Sequence, residues 1–232
     1  DPFFVRYFRW LGDLVRGDLG HSIVYRQDVS DLIVTRLGTT AALVGLATIV
    51  IAVAGIGLGL IAALKGGLAD QIVNVVATLG LSTPVFLVGV ALISVFSVGL
   101  GWFPTNGSGS GGLDTLFHLF LPAVALAVAS SAYLARITRA SVLEEKGREH
   151  VQTSVARGLS SGVTIRRHVL RNALIPITTV MGLTIATLIA GAVVIENVFA
   201  LDGLGSLLVR AIMQRDFAVV QAVILVLVVA FV

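Results

Sequence analysis

The chain has 232 residues, of which 56% are hydrophobic and only 12% charged, with a formal net charge of +3 and no cysteine. Soluble domains carry about twice that charged fraction, so an ordinary soluble domain is excluded, and no disulfide, thiol or Cys–metal chemistry is available. The basic residues concentrate beside long apolar runs, as membrane orientation requires, which excludes nucleic acid as the partner.

Residues 1–38 are mixed. Arg6, Arg9, Arg16, Arg26 and Arg36 balance Asp1, Asp13, Asp18, Asp28 and Asp31. Phe3, Phe4, Tyr7, Phe8, Trp10, Leu11 and Leu14 recur at helical spacing. The pattern predicts an amphipathic helix, either at the membrane interface or packed as a small soluble cap on its own apolar face. RGDLG at 16–20 is a turn. This segment is assigned to the extracytoplasmic side, and residues 39–232 to a transmembrane domain.

Residues 39–64 carry no charge and form the first span, since roughly 20 apolar residues cross a bilayer core. Its glycines (Gly45, Gly55, Gly57, Gly59) do not make a nucleotide loop, because no strand precedes them and no Lys-Ser or Lys-Thr follows. They suit close helix approach in lipid. KGGLAD at 65–70 is a tight loop. Residues 72–100 form a second span, interrupted around Ser82, Thr83 and Pro84. Pro84 cannot donate to the helix and kinks it, either as a gate or as a simple bend. Residues 99–114 are a Gly/Ser-rich exposed spacer. The third span is 116–134, with His118 at its edge as an interfacial hydrogen-bonder. The fourth is 174–195, with Thr178, Thr179, Thr184 and Thr187 as a polar stripe. Residues 196–216 read as a connecting loop, and 217–232 as the start of another span. The chain opens without a signal peptide and ends inside an apolar run, so an earlier span and the rest of the last are expected, about six in all.

Between the third and fourth spans lies a basic island, residues 136–176. It holds eight of the sixteen Lys and Arg residues against Glu144, Glu145 and Glu149, a net charge of +5. KGGLAD lies on the same side, and the loops opposite are neutral or slightly negative. The positive-inside rule puts the island in the cytoplasm. It reads as short helices. Gly147 ends the first; 149–157 is a second, with Gly158 as C-cap; Ser160 or Ser161 caps a third that runs to Asn172; Pro176 then starts the next span. Such an element either docks into a partner's groove or is held by lipid phosphates.

Gly158-Leu159 followed by RHVLRNALIP (167–176) resembles the cytoplasmic signature loop of ABC importer permeases, more narrowly the first-permease subunits of the dipeptide/oligopeptide/nickel class. Placing the loop's invariant glycine on Gly158 sets Gln152, Thr153 and Ser154 on its Glu-Ala-Ala, where only Thr153 fits the peptide-class variant closely. Arg171, Asn172, Ala173, Leu174 and Pro176 fit the closing part. RGDLG, then Ser82, Pro84 and Phe86, then Glu196, Phe199, Gly203, Leu204, Gly205 and Arg215-Asp216 agree in order and spacing. Gly38, Asp202 and Ala218 stand where prolines are usual, and Ser161-Gly162 replaces more charged residues.

The resemblance implies an all-α membrane bundle of the type I importer kind in a bacterial or archaeal plasma membrane. Its partners would be a second homologous permease, two ABC ATPases binding ATP and Mg, an extracytoplasmic substrate-binding protein, and lipid. The coupling loop would use Gln152, Thr153, Ser154, Arg157, Gly158, Leu159, Arg171 and Asn172. Ser82, Thr83, Pro84, Thr184 and Thr187 are the candidates for the translocation path. The two lysines, Lys65 and Lys146, lie in no GxxxxGK[ST] motif, so this chain is not expected to bind ATP, metal or any cofactor itself. Peptides are the expected cargo, with nickel or glutathione as alternatives. An intramembrane hydrolase would need paired ionisable groups within spans, and a self-contained channel or ion-coupled transporter would usually show one intramembrane charge. The sequence offers neither.

Overall fold

In the computed structural model, residues 2–231 are described; Asp1, Val232 and the side chains of Phe3 and Arg6 lie outside the described residues. The described residues are mostly helical. The helices are α1 (Phe3–Val15), α2 (Val29–Lys65), α3 (Gly67–Ser82), α4 (Val85–Gly99), α5 (Gly112–Lys146), α6 (Glu149–Ala156), α7 (Ser161–Val198), α8 (Leu204–Met213) and α9 (Phe217–Phe231). The only β pairing among the described residues is an isolated bridge between His21 and Asp28. Wider π turns interrupt α2 at Ala52–Ile56, α4 at Ile93–Gly99 and α7 at Ile165–Val169.

Three helices, α2, α5 and α7, are long and apolar enough to cross a membrane. Among them α5 is the centre: half of its most apolar window is buried, against 22% for α2 and α7. It packs against α2, α3, α4 and α7. Its inward stripe is small and tightly fitted. A Cβ on Gly59 of α2 would lie 2.5 Å from Thr138 Cβ and 2.6 Å from the Ala135 carbonyl oxygen. That site admits only glycine, which is the close approach that small residues allow between helices in lipid.

Four elements differ from the sequence expectation. The first span's helix starts at Val29, ten residues before residue 39, with Asp28 in extended geometry before it. At ~1.5 Å per residue, its 37 residues reach well beyond a hydrocarbon core of about 30 Å. The second span is broken rather than kinked: α3 and α4 are bent by 105° at Thr83-Pro84. The third island helix and the fourth span are one helix, α7, with Pro176 inside it. Proline removes one donor, and a long helix packed by neighbours tolerates the loss. The expected loop at 196–216 contains α8, whose Leu204, Leu207 and Ala211 are buried.

A second, smaller core closes the end away from the island. Val29, Leu32 and Ile33 of α2 pack there with Leu204, Leu207 and Ala211 of α8 and Val219, Ala222 and Val223 of α9. Two buried carboxylates fasten it. Ser22 donates to Asp216 Oδ2 at 2.5 Å. Thr40 donates to Glu196 Oε1 at 2.6 Å, and Ser206 N–H donates to Glu196 Oε2 at 2.9 Å. Thr40 Oγ1 also accepts from Leu204 N–H at 2.8 Å. The Gly/Ser-rich stretch is tied in as well. Gly107 N–H donates to the Phe199 carbonyl at 3.2 Å, and Ser108 Oγ accepts from Asp202 N–H at 3.2 Å. It is therefore not a free spacer. His118 stands 2.9 Å from the Asp114 carbonyl oxygen, an interfacial hydrogen bond within α5.

Candidate functional site

The island is built on the last turn of α5. Leu134, Ala135, Thr138, Val142 and Glu145 are all buried, so the packed stripe of the helix ends in a carboxylate. Glu145 Oε1 lies 2.9 Å from Arg148 Nε, while Oε2 accepts from Asn172 Nδ2 at 3.4 Å and lies 3.7 Å from His150 Nε2. One buried acid thus joins the end of α5, the start of α6 and the base of α7. Arg148 also donates to Glu144 at 3.0 Å. The hydrogen bond that Arg148 donates to Glu144 and the charge of Glu145 hold the Arg148 pKa above its ordinary value. Glu145 was not singled out in the sequence. The signal was present, since it falls in the same helical register as Val142 and Thr138.

From that base α6 projects for eight residues. Glu149 in its first turn suits the helix dipole. Its far end closes as the sequence predicts. Gly158 has φ +78°, its N–H donates to the Val155 carbonyl at 2.9 Å, and Leu159 N–H reaches back to the Ser154 carbonyl at 3.3 Å. These two bonds are the Schellman closure, which needs a left-handed residue at Gly158. Ser160 then precedes α7 in extended geometry, but its hydroxyl makes no cap bond.

The candidate coupling residues divide into two sets. Gln152, Thr153, Arg157, Gly158, Leu159 and Arg171 are exposed. Ser154 is buried and donates to the His150 carbonyl at 2.8 Å, and Asn172 is occupied by Glu145 and the His168 carbonyl. Those two brace the island from within. Around the turn Val155 is 59%, Leu159 41% and Val163 38% exposed, an apolar tip on an otherwise polar element.

A second contact set fixes the island's side of the bundle. Asp70 accepts from Arg139 Nε at 2.5 Å and Nη2 at 2.6 Å, and from Asn74 at 2.8 Å. Arg136 donates to Thr78 at 2.6 Å, and Lys146 to the Ala63 carbonyl at 3.5 Å. The 65–70 turn and the island therefore share one end of the bundle.

The candidate path residues are not brought together. Ser82 donates to the Thr78 carbonyl at 2.9 Å, Thr83 to Leu79 at 2.7 Å, Thr184 to Val180 at 2.8 Å and Thr187 to Thr184 at 2.7 Å. Each hydroxyl is spent on its own helix, the usual fate of Ser and Thr in spans. Among the described residues no hydrogen bond joins the Ser82–Thr83 pair to Thr184 or Thr187. Ser82, Pro84 and Thr187 are exposed, while Thr184 is buried.

A long central helix, a broken neighbour and a helical projection at one end define an all-helical fold of the polytopic membrane kind. Residues 55–232, more than half of the chain, match the model of the binding-protein-dependent transport system inner membrane component family. The chain belongs to that family. It is 39% identical over 229 residues to the oligopeptide transport system permease protein AppB of Bacillus subtilis strain 168, covering 96% of this chain and 72% of that protein. It is 38% identical over 225 residues to the glutathione transport system permease protein GsiC of Escherichia coli strain K12, covering 97% and 72%. Its fold resembles a chain of the MetNI methionine ABC transporter solved in inward-facing conformations, with a TM-score of 0.69 at 21% identity, covering 86% of this chain and 89% of that one. The chain is a multi-pass permease subunit of an ABC importer, which works with ATPase and permease partners.

Proposed function

We propose that this permease carries short peptides inward, driven by two ATPases, one of which docks on the α6 turn from the cytoplasm. The two relatives named for oligopeptide and glutathione transport support a peptide cargo, glutathione being itself a small peptide. The single observation that carries the docking is the α6 tip. It exposes Val155 and Leu159 on a helix closed by Gly158, while Glu145 pins its base to both neighbouring spans. A rigid apolar tip on a braced stem can enter a groove and transmit a push.

ATP and Mg bind to the ATPases in this reading, and this chain has no catalytic role. An extracytoplasmic binding protein delivers cargo to the opposite end, where Glu196 and Asp216 fasten the smaller core. The path runs along the face shared with the second permease. Ser82, Pro84 and Thr187 are the candidates open to it; Thr83 is half-buried and Thr184 is packed within the chain.

The test is purification of the full-length permease from its own host in mild detergent, with every co-purifying protein identified. A second permease, two ATPases and a binding protein holding peptide are expected. Nickel recovered from that binding protein would overturn the cargo. A lone chain that transports in liposomes without ATP would overturn the whole reading.

A further inference from the structure

At the membrane-facing end of the island, Arg166, Arg167 and Arg171 stand exposed on the first turns of α7. Among the described residues no carboxylate lies within ion-pair distance of any of the three, and the nearby Glu144 and Glu145 are taken by Arg148. The three arginines share this open face of α7 with His168, Leu170, Asn172 and Leu174. The next turn of the same helix changes character: Leu174 is 43% and Ile175 67% exposed. At about 1.5 Å rise per residue, Ile175 lies about 6 Å beyond Arg171, toward the span.

Cation first and exposed aliphatic next, within one turn, is the order in which a phospholipid presents its phosphate and its acyl chains. Arginine suits the phosphate, since its planar fork binds phosphate oxygens in pairs. A protein partner has a better surface elsewhere. The apolar tip at Val155, Leu159 and Val163 sits at the other end of the island, away from the span.

We propose that Arg166, Arg167 and Arg171 bind the headgroup of an anionic phospholipid in the leaflet on the island's side, with Leu174 and Ile175 against its acyl chains. Bound there, the lipid sets the depth of the base of α7. The site stands on exposure, charge and helix geometry alone, so it survives if the α6 tip has another partner.

The chain has no cysteine, so Ile175→Cys gives one attachment point for a fluorophore. The labelled full-length permease, assembled with cysteine-free partner subunits, is placed in phosphatidylcholine nanodiscs containing brominated phosphatidylglycerol or brominated phosphatidylcholine at equal fraction. Stronger quenching by the phosphatidylglycerol is expected. The triple variant R166Q/R167Q/R171Q should lower the relative affinity for phosphatidylglycerol by about a hundredfold, the scale of three charges near an anionic surface, and so remove that preference. The triple Lys variant should keep most of it, and Arg171→Gln alone should lose part. Equal quenching by the two lipids in the unaltered permease would overturn the proposal. So would a triple Gln variant that sheds its ATPase subunits yet keeps its lipid preference, because the arginines would then serve a protein contact.

Discussion

Gly203 and Glu196 share a space that holds nothing larger than a hydrogen: a methyl group at Gly203 would collide with the Glu196 carboxylate. The glycine lets the start of α8 close over the acid, and the Ser206 N–H then reaches Oε2. Gly203→Ala must move either the carboxylate or the backbone. Overpacking beside a buried, hydrogen-bonded carboxyl group predicts a loss of about 2 kcal/mol or more in thermal melting of the purified permease. Gly38 is the control, with open space around its Cβ position inside α2. Gly38→Ala should be neutral or stabilising by up to about 1 kcal/mol. Equal melting of the two variants would show that the carboxylate steps aside without cost.

Thr40 stands between the same acid and α8. Its hydroxyl donates to Glu196 and accepts from Leu204 N–H. Thr40→Val keeps the shape and strips both bonds, leaving a buried N–H bare. The expected cost is about 1–3 kcal/mol. Thr48 bonds only the Val44 carbonyl of its own helix, so Thr48→Val should stay within about 0.5 kcal/mol. Calorimetry of both variants in the same detergent separates the cases.

The island was legible in the sequence because its charge stands out against apolar spans, and Gly158 because a glycine after an eight-residue helical pattern marks a left-handed closure. A kink at Pro84 was legible, but not that the helix breaks there and turns by 105°, which depends on packing against α5 and α7. Three features were not legible. Glu145 and Glu196 look like ordinary loop acids until the fold shows that each is buried and shared among helices from distant parts of the chain. The union of the island's third helix with the fourth span was hidden by Pro176, which reads locally as a helix start. The threonine stripe was legible as polarity within a span, and the fold adds what the hydroxyls bond to. Each threonine hydroxyl is bonded to the backbone of its own helix, a partner that the sequence alone does not specify.

Asp70 and Arg139 make the paired contact that ties α3 to α5 on the island's side. Asp70→Asn and Arg139→Gln should each lower melting, and the double variant should lose less than the two losses combined, because the second change removes a partner already lost. Strict additivity would mark the pair as a solvated contact without structural weight.

Deleting residues 107–112 removes the Gly107 bond to Phe199, the Ser108 contact with Asp202 and the Ser110 contacts with Asp114. The turn between α7 and α8 loses its cover. Melting should fall, and proteolysis should appear near Asp202. Unchanged melting with unchanged uptake would return the segment to the role of a spacer.

Gly158 tests the docking itself. Its φ of +78° is a conformation that L side chains rarely adopt, and nothing within 4 Å would obstruct a Cβ there. Only backbone strain is therefore at stake. Gly158→Val places a β-branched residue in the left-handed region, at a cost of about 1–3 kcal/mol. The exposed turn relieves it by opening the Schellman bonds from Gly158 and Leu159, and Leu159 leaves the tip. Gly158→Asn tolerates the left-handed conformation far better. In the assembled importer, the Val variant should keep its melting temperature, because the turn lies outside both cores, yet lose cargo-stimulated ATP hydrolysis and uptake together. The Asn variant should retain most of both. If the Val variant assembles, hydrolyses and transports like the unaltered permease, the α6 turn is not the element through which the ATPases act.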